Sequence, residues 1–216
     1  MANPVILLAS NSPRRKELLA WTGWPYQVVP AAIDESPLLD EKPDQYVLRL
    51  AESKARASNL CLTNGTIIIA ADTTVACGDI ILGKPSGPLE ARQMLQMLKN
   101  SSHNVLTGLA VMVSDQEDIS LDLCSSTVTM RDYTDEEMET YIAGGDPLDK
   151  AGAYAIQHKG FHPVIGFNDC FANVVGLPLC HLLRAMKRLK VNSLADIPSL
   201  CLQHMNYSCS IFREIV

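Results

Sequence analysis

Residues 5–15, with the sequence VILLASNSPRR, decide the fold class. The apolar run at the start is typical of a buried strand. Ser12 and Pro13 follow it, and these residue types are favoured at the N-cap and at the first position of a helix. A strand that leads directly into a helix is the unit from which folds with a helix-covered sheet are built.

Patterns farther along the chain continue this alternation before strands cluster. The spacing of apolar residues predicts helices over residues 43–58, 88–98, 134–144 and 178–189. Runs of apolar and β-branched residues predict strands over residues 66–71, 105–113 and 119–131, a hairpin over 75–82, and short strands at 28–30, 153–156 and 174–175. We therefore predict an α/β or α+β fold with a mixed sheet.

Size and composition indicate a globular protein. The chain has 216 residues, of which 47% are hydrophobic and 19% charged, as is ordinary for globular domains. Because apolar periodicity weakens near the end, we predict a single domain over residues 1–191 and a C-terminal tail over residues 192–216. The formal net charge of -6 argues against a broad basic surface, and so against nucleic acid as a partner.

The cysteines and the apolar runs indicate a cytoplasmic protein. Seven cysteines are scattered without a CxxC pair, which is typical of reduced thiols. No apolar run approaches the roughly 20 residues of a membrane-spanning helix, and the first residues lack the basic charge of a secretion signal. We expect no membrane partner. Cys201, His204 and Cys209 could ligate a metal, but the pattern offers no fourth ligand.

The helix start after Ser12 is the first candidate site. Free backbone N–H groups, the hydroxyl of Ser10 and the guanidinium groups of Arg14 and Arg15 together suit a phosphate. Cations at a helix N-terminus oppose the helix dipole, and an anionic ligand would relieve that conflict. The alternative is a capped helix with two solvated arginines.

Lys54 and Asp72 are the next candidates. Lys54 falls on the apolar stripe of the predicted helix 43–58, where an ammonium group either extends to solvent or meets an anion. Asp72 is predicted at the end of strand 66–71, where α/β sheets open their ligand clefts. Its carboxylate could bind a divalent cation or activate water, and Thr73 adds a hydroxyl. A turn capped by the Asp72 side chain is the alternative.

Three further side chains complete a constellation. Lys84 follows Gly83 without the spacing of a P-loop, so it could meet a phosphate only from a hairpin end. Glu35 supplies a second carboxylate for a divalent metal. Gln157 has an amide that suits a base edge, although residues 149–157 by themselves are more typical of a tight turn. Together these residues predict a nucleotide-phosphate site.

Short segments in a fixed order give the chain a resemblance to the Maf family of nucleoside triphosphate pyrophosphatases. They are LASNSPRR (8–15), DE (34–35), AESKA (51–55), ADT (71–73), LGKP (82–85), HNVLTG (103–108), DKAGAY with a following Gln (149–154 and 157) and VGLPL (175–179). Each segment is short, but the ordered set is specific.

The resemblance implies an α/β fold with a central mixed sheet flanked by helices, two lobes around a cleft, and a homodimer. It also implies hydrolysis of a nucleoside triphosphate to the monophosphate and pyrophosphate with Mg²⁺ or Mn²⁺. Carried over to this sequence, Asp72 is the expected proton acceptor, and Glu35 and Asp72 ligate the metal or water. The expected phosphate ligands are Ser10, Arg14, Arg15, Lys54 and Lys84, and the residues expected to set base specificity are Arg14, Thr73 and Gln157.

The specificity residues, together with residues 173–176, resemble the pyrimidine type, which acts on dTTP and UTP. His158, Lys159 and Gly160 stand where the family usually has Gly-x-Gly, so the shape of the base pocket is open. Three alternatives stay open: an enzyme for 7-methyl-GTP, an inosine triphosphate pyrophosphatase, and a non-enzymatic nucleotide-binding regulator of cell division.

Overall fold

The computed structural model describes residues 4–59, 64–167, 169–205, 207, 209 and 212–215. The strands are β1 (Ile6–Leu8), β2 (Tyr26–Val28), β3 (Ile67–Cys77), β4 (Ile80–Leu82), β5 (Ser102–Val113), β6 (Ile119–Met130) and β7 (Val164–Gly166). The helices are α1 (Pro13–Ala20), α2 (Pro43–Ser58), α3 (Pro88–Leu98), α4 (Asp135–Ala143), α5 (Phe171–Val175), α6 (Leu179–Arg188), α7 (Ile197–Met205) and α8 (Phe212–Ile215).

The strands form one mixed sheet, as predicted. Their order is β2-β1-β3-β5-β6-β7, and β4 pairs with β3 outside this path. β1 runs parallel to β2 and to β3, whereas the other neighbouring strands pair antiparallel. With helices packed on both faces, the protein has an α/β fold.

Alternating side chains of β3 contribute to a separate core on each face of the sheet. Ile69 packs in a core with the apolar residues of α1 and α6, whereas Ile68 packs with Ala51 of α2. Farther along β3, Val75 belongs to another core, which α3 and α4 share. β3 therefore runs through two lobes, and its middle lies between them.

One edge of β3 is open in the middle of the strand. β5 pairs along the opposite edge over residues 67–76. On the open edge, β1 pairs only over residues 67–69 and β4 only over residues 75–77. The segment between them therefore faces a gap in the sheet.

The strand predicted over residues 66–71 is longer than expected. It continues without a break to Cys77, so Asp72 lies in the middle of β3 and not at a strand end. β-branched residues at 73–75 favour the extended backbone. The buried carboxylate is tolerated within the sheet because Lys54 pairs with it.

Two of the short predicted strands are wrong. Residues 153–156 follow a 3₁₀ turn at Ala151–Ala153 and do not join the sheet, and Val174 and Val175 close helix α5. The latter are β-branched, but Cys170 begins a helical turn and Gly176 ends it with φ +116°, a left-handed conformation that favours glycine. The β3–β4 hairpin, the Ser12 N-cap and the capping box at Thr134 are confirmed.

The segment after residue 191 packs against the lobe that carries α1. Ile197 is fully buried in the core shared with α1 and α6, and Trp24 Nε1 donates to the Asn192 carbonyl at 2.8 Å. The division into a domain over residues 1–191 and a tail stays a prediction.

The structure bears on two sequence predictions, the absence of a membrane-spanning helix and the presence of reduced thiols. Within the described ranges, no helix is long and apolar enough to cross a bilayer. Free thiols are present at Cys77, Cys124, Cys170, Cys180 and Cys201, whereas Cys61 lies outside the described residues.

Candidate active site

The open edge of β3 borders a cavity of about 480 Å³ between the two lobes. This volume lies within the range of small-molecule sites, roughly 300 to 1,000 Å³. The cavity brings together nearly all the predicted site residues, namely Arg14, Arg15, Glu35, Lys54, Asp72, Thr73, Lys84 and Gln157. Because successive side chains of β3 point to opposite faces of the sheet, the cavity has two walls of different chemistry.

The first wall, called the charged wall below, consists of Glu35, Lys54 and Asp72. Lys54 Nζ lies 2.5 Å from Asp72 Oδ1 and 2.6 Å from Glu35 Oε1. Lys54 and Asp72 are both 7% exposed, whereas the Glu35 side chain is 57% exposed. A buried ammonium is thus held between one buried and one accessible carboxylate, which confirms that Lys54 points inward and meets an anion.

Gly108 lets α2 come close enough to form this wall. It is the β5 partner of Asp72, and a Cβ at position 108 would lie 2.3 Å from the Val47 carbonyl oxygen of α2. No real Cβ tolerates that distance, so only glycine permits the backbone of α2 to rest on the sheet here. Lys54, two turns after Val47, then reaches Asp72 directly.

Two cations at the cavity have neither an ion partner nor a side-chain hydrogen bond within the described residues. Arg14 is half-buried at the start of α1, and Lys84 is exposed after β4. Lys150 also lines the cavity, but its ammonium already donates to the carbonyl and carboxylate of Asp146 and to Asp149. Arg14 and Lys84 are therefore the cations whose side chains are entirely available to an anionic ligand.

The second wall, called the hydrogen-bonded wall below, consists of Arg15, Thr73 and Gly176. Arg15 donates from Nε to the Gly176 carbonyl at 2.8 Å and from Nη2 to Thr73 Oγ1 at 3.0 Å. Burial lowers the pKa of Arg15, and the charge of Asp72 opposes that shift. A third N–H group, on Nη1, donates to Ser10 Oγ, so two of the five N–H groups of the guanidinium have no partner among the described residues.

Ser10 supports this wall but does not line the cavity. Its buried hydroxyl accepts from the Ser12 backbone N–H at 3.2 Å and from Arg15 Nη1 at 3.4 Å, whereas Ser12 itself does line the cavity. The role of Ser10 as a phosphate ligand stays a prediction. In the structure it orients the guanidinium of Arg15.

Tyr46 and Tyr154 line the cavity and were missed by sequence reasoning. Tyr46 donates to the Glu35 carbonyl at 2.9 Å, and burial together with the charges of Asp72 and Glu35 raises its pKa to about 12. It lies two helical turns before Lys54 on the same stripe, a position that sequence alone assigns to the core. Tyr154 pairs with the buried His103 at 2.7 Å.

Gln157 reaches the cavity, whereas His158 does not belong to its lining. The His158 ring packs on Tyr141 and accepts from the Phe161 backbone N–H at 2.8 Å. The departure from Gly-x-Gly after the glutamine therefore changes the turn behind the cavity and not its wall.

The two carboxylates of the charged wall suit a divalent cation that arrives with its ligand. Glu35 and Asp72 converge on one point, at present the ammonium of Lys54. Across the residues that the structure describes, no group of three or more acidic, His or Cys side chains could hold a metal without further ligands. Mg²⁺ typically takes one or two carboxylates and completes its shell with phosphate oxygens and water.

Comparisons with known proteins agree on one family. The family model described as Maf-like protein matches residues 5–189. A dTTP/UTP pyrophosphatase of Geobacter sp. (strain M21) is 43% identical over 187 residues, which cover 87% of this chain and 96% of the relative. One of Moorella thermoacetica is 44% identical over 174 residues, covering 81% and 89%.

A solved structure shows a weaker likeness. It is a nucleoside-triphosphatase (dITP/XTP pyrophosphatase) of Mycobacterium abscessus, 13% identical, with a TM-score of 0.37 over 58% of this chain and 72% of that one. A TM-score at that level does not by itself establish a common fold.

Proposed function

The chain belongs to the Maf family, and on that premise we propose that it is a nucleoside triphosphate pyrophosphatase that acts on dTTP and UTP. The products are the nucleoside monophosphate and pyrophosphate. One observation carries the proposal: the charged wall shares a cavity with Arg14 and Lys84, two cations without an ion partner in the described part of the chain.

The charges of the cavity match a triphosphate in a protein of negative net charge. A polyanion is repelled by the net charge of -6 unless cations are concentrated locally. Arg14, Lys84 and the unused N–H groups of Arg15 provide that concentration around one opening. The backbone N–H groups at the start of α1 add further donors, because Ser12 lines the cavity at the helix N-terminus.

The reaction is the attack of water on the α-phosphorus. A P–O bond to the water oxygen forms, the bond from the α-phosphorus to the bridging oxygen breaks, and pyrophosphate leaves with that electron pair. Asp72 holds the water through Oδ2, the oxygen that Lys54 does not occupy, and accepts its proton. Lys54 fixes the Asp72 carboxylate, and Lys84 and Arg14 stabilise the charge that builds up on the leaving pyrophosphate.

A divalent cation completes the proposed site, with Mg²⁺ or Mn²⁺ as the candidates. Glu35 and Asp72 would hold it, together with phosphate oxygens of the substrate. When bound, the cation offsets negative charge on the phosphate oxygens and makes the phosphorus more electrophilic.

The base is proposed to lie against the hydrogen-bonded wall. In addition to Thr73 and Gly176, the cavity lining includes Tyr154, Ile156 and Val174, which offer apolar surface to a planar ring. Thr73 and Gln157 add polar groups that can read its edge. A base needs this combination of flat apolar surface and few polar contacts, whereas a triphosphate needs the cations.

We also propose a cytoplasmic homodimer without nucleic-acid or membrane partners. The free thiols support a reducing compartment, and the acidic net charge disfavours a nucleic-acid surface. Dimerisation rests on the family resemblance. Light scattering after size exclusion tests it, with twice the chain mass of 23.6 kDa expected.

Pyrophosphate release from a panel of nucleoside triphosphates tests the proposal. We expect turnover of dTTP and UTP with Mg²⁺ or Mn²⁺, and little with the purine nucleotides. Turnover confined to 7-methyl-GTP or ITP would keep the reaction but contradict the pyrimidine assignment. Tight binding of nucleotides without any pyrophosphate release would contradict the enzymatic proposal and favour a regulator.

A further inference from the structure

Glu35 lies in a loop that the hydrophobic core does not hold. Residues 34–41, called the acidic loop below, precede α2 and belong to no helix or strand. Residues 34–40 are all exposed, and these include the apolar Leu38 and Leu39. The position of the Glu35 carboxylate therefore depends on polar contacts between the acidic loop and the rest of the protein.

Two residues of α2 hold the main chain of the acidic loop. The Tyr46 hydroxyl donates to the Glu35 carbonyl at 2.9 Å. Arg49 donates from Nη2 to the next carbonyl, that of Ser36, at 3.1 Å. A carbonyl oxygen can only accept a hydrogen bond, so the direction of both contacts is fixed. The Arg49 guanidinium also lies over the Tyr46 ring, 5.6 Å from its centroid, so the two anchors support each other.

Arg49 also anchors the far end of the acidic loop. Its guanidinium binds both carboxylate oxygens of Glu41, at 2.5 and 2.7 Å, and the Glu41 side chain is only 6% exposed. A bidentate pair of this kind fixes orientation as well as distance. Glu41 Oε2 in turn accepts from the Leu38 backbone N–H at 3.0 Å. Arg49 thus joins both ends of the loop to one helix, although it does not line the cavity.

The side chain of Glu35 is bound to the same helix. Lys54 of α2 pairs with the Glu35 carboxylate at 2.6 Å. Gly108 in turn lets α2 rest on the sheet beside Asp72. The distance between the Glu35 and Asp72 carboxylates is therefore set by a helix packed on the sheet, and not by the loop alone. Ligands held in advance in this way spare a bound cation the cost of ordering them.

We propose that Tyr46 and Arg49 are positioning residues for Glu35 and that they thereby set the affinity with which the cavity binds a divalent cation together with its nucleotide. This inference rests on the function proposed above. Groups that orient a metal ligand without touching the metal typically contribute 10- to 100-fold to metal affinity. A substitution that releases the acidic loop should therefore weaken binding of the cation and leave the contacts of the nucleotide with Arg14 and Lys84 unchanged.

The test uses calorimetry and needs no turnover. Its probe is a UTP analogue with an imido group between the α- and β-phosphorus atoms, and its Kd is measured without metal and with saturating Mn²⁺. By linkage, the ratio of the two constants reports how much more tightly the complex holds Mn²⁺ than the free analogue does. We expect this ratio to fall about tenfold in Tyr46→Phe and in Arg49→Met, while the Kd without metal stays unchanged.

Arg56→Met is the matched control. Arg56 is also an ion-paired arginine of α2, but it pairs with Glu52 at the surface and not with the acidic loop. Its ratio should equal that of the wild type, and a fall as large as in Arg49→Met would overturn the proposal.

Glu35→Gln shows whether the two residues act through Glu35. This substitution should lower the ratio by itself, and Tyr46→Phe added to it should have no further effect. An additional loss in the double variant would overturn the proposal, since it would show that Tyr46 acts on the ligand directly.

The wild type alone can also decide the matter. If it binds the analogue no better with Mn²⁺ than without, the inference is overturned whatever the variants do. Equal weakening of both constants in Tyr46→Phe and Arg49→Met overturns it too, because a merely structural role would produce that result. A wild type that shows the expected ratio but releases pyrophosphate from no nucleotide overturns the proposed function and supports the role of Tyr46 and Arg49.

Discussion

Asp72 and Thr73 are neighbours in one strand, yet they contribute to walls of opposite character. Asp72 shares a buried ammonium with Glu35 through one oxygen, and no residue of the described ranges pairs with its second oxygen. Thr73 is enclosed by Arg15, Thr107 and Gly176, and nearly all its hydrogen-bonding capacity is used within the protein. Because consecutive side chains of a strand point to opposite faces of the sheet, these two neighbours lie in different walls of the cavity. One wall presents charges to a ligand, and the other is held in place by hydrogen bonds within the protein.

The difference indicates how the cleft divides its tasks. Burying the charges of Lys54 and Asp72 costs desolvation energy, which their attraction offsets only in good geometry. Buried charged groups that face a cleft are candidates for direct contact with a ligand. Neutral hydrogen bonds contribute about 1 kcal/mol each and fix direction, which suits recognition. Substitutions in the charged wall should therefore change turnover, and substitutions in the hydrogen-bonded wall should change recognition of the substrate.

The largest effect is expected for Asp72→Asn. The amide keeps the shape of the side chain but cannot accept the proton of water, so kcat should fall about 10²- to 10⁴-fold for every nucleotide. Steady-state pyrophosphate release measures it. Asp122→Asn is the matched control, since Asp122 is also an ion-paired carboxylate of the sheet, bound to Arg184 and His181 outside the cavity. Similar losses of kcat in both variants would contradict the role of Asp72 as the proton acceptor.

Lys54→Met should have the next largest effect. Methionine fills similar space but leaves the buried Asp72 carboxylate without its cation, and it removes a positive charge from the wall proposed to hold the attacking water. We expect kcat to fall about 100-fold and thermal stability to decrease. Lys187→Met, at an exposed position of α6, should change neither quantity. Unchanged turnover in Lys54→Met would contradict the role of the charged wall.

Thr73→Val should affect substrate binding more than turnover. It removes the hydroxyl proposed to read the edge of the base, so kcat/KM for UTP should fall about tenfold while kcat changes little. Thr73→Ser should retain both constants. Steady-state pyrophosphate release at varied UTP concentration measures them. A fall in kcat as large as the fall in kcat/KM would contradict the assignment of Thr73 to recognition.

Ile197→Ala should destabilise the core on which α1, the helix that carries Arg15, is packed, while kcat stays unchanged. Ile197 is fully buried in the core that α1 shares, so the truncation should lower the free energy of unfolding by about 2 to 5 kcal/mol. Leu202→Ala on the same helix, where the side chain is 53% exposed, should cost far less. Urea denaturation measures both, and equal costs would show that α7 is not docked through Ile197.

The smallest effect is expected from acid. Burial lowers the pKa of His103, which pairs with Tyr154 of the cavity, from an ordinary value of about 6.5 to about 4. Between these values the unfolded state binds more protons, so stability rises with pH and is lost as the pH falls from about 6.5 to about 4. The loss is at most about 3 kcal/mol. In His103→Gln, the free energy of unfolding should depend less on pH across that window. If its slope against pH equals that of the wild type, His103 is not the group that causes the loss of stability.

Local patterns predicted much of this architecture. The N-cap at Ser12, the capping box at Thr134 and the buried stripe of α2 with Lys54 depend on neighbours within a few residues, and the structure confirms them. The continuation of β3 through Asp72 was missed because a charged residue looks like a strand end until its distant partner is known. Lys54, 18 residues away, supplies that partner.

The hydrogen-bonded wall was beyond local patterns for the same reason. Thr107 meets Thr73 across 34 residues and Asn173 across 66, and neither spacing leaves a periodic signal. Gly108 could have been noticed as a glycine in an apolar strand, where a close approach of another backbone is a recognised cause. Tyr46 was not distinguishable from a core residue of the same helix face.

The attack of water on the α-phosphorus beside Asp72 can be tested directly. Hydrolysis of UTP in ¹⁸O-labelled water, followed by mass spectrometry of the products, identifies the phosphorus that is attacked. We expect the label in UMP and unlabelled pyrophosphate. Label in pyrophosphate or in free phosphate would place the attack on another phosphorus and contradict the mechanism.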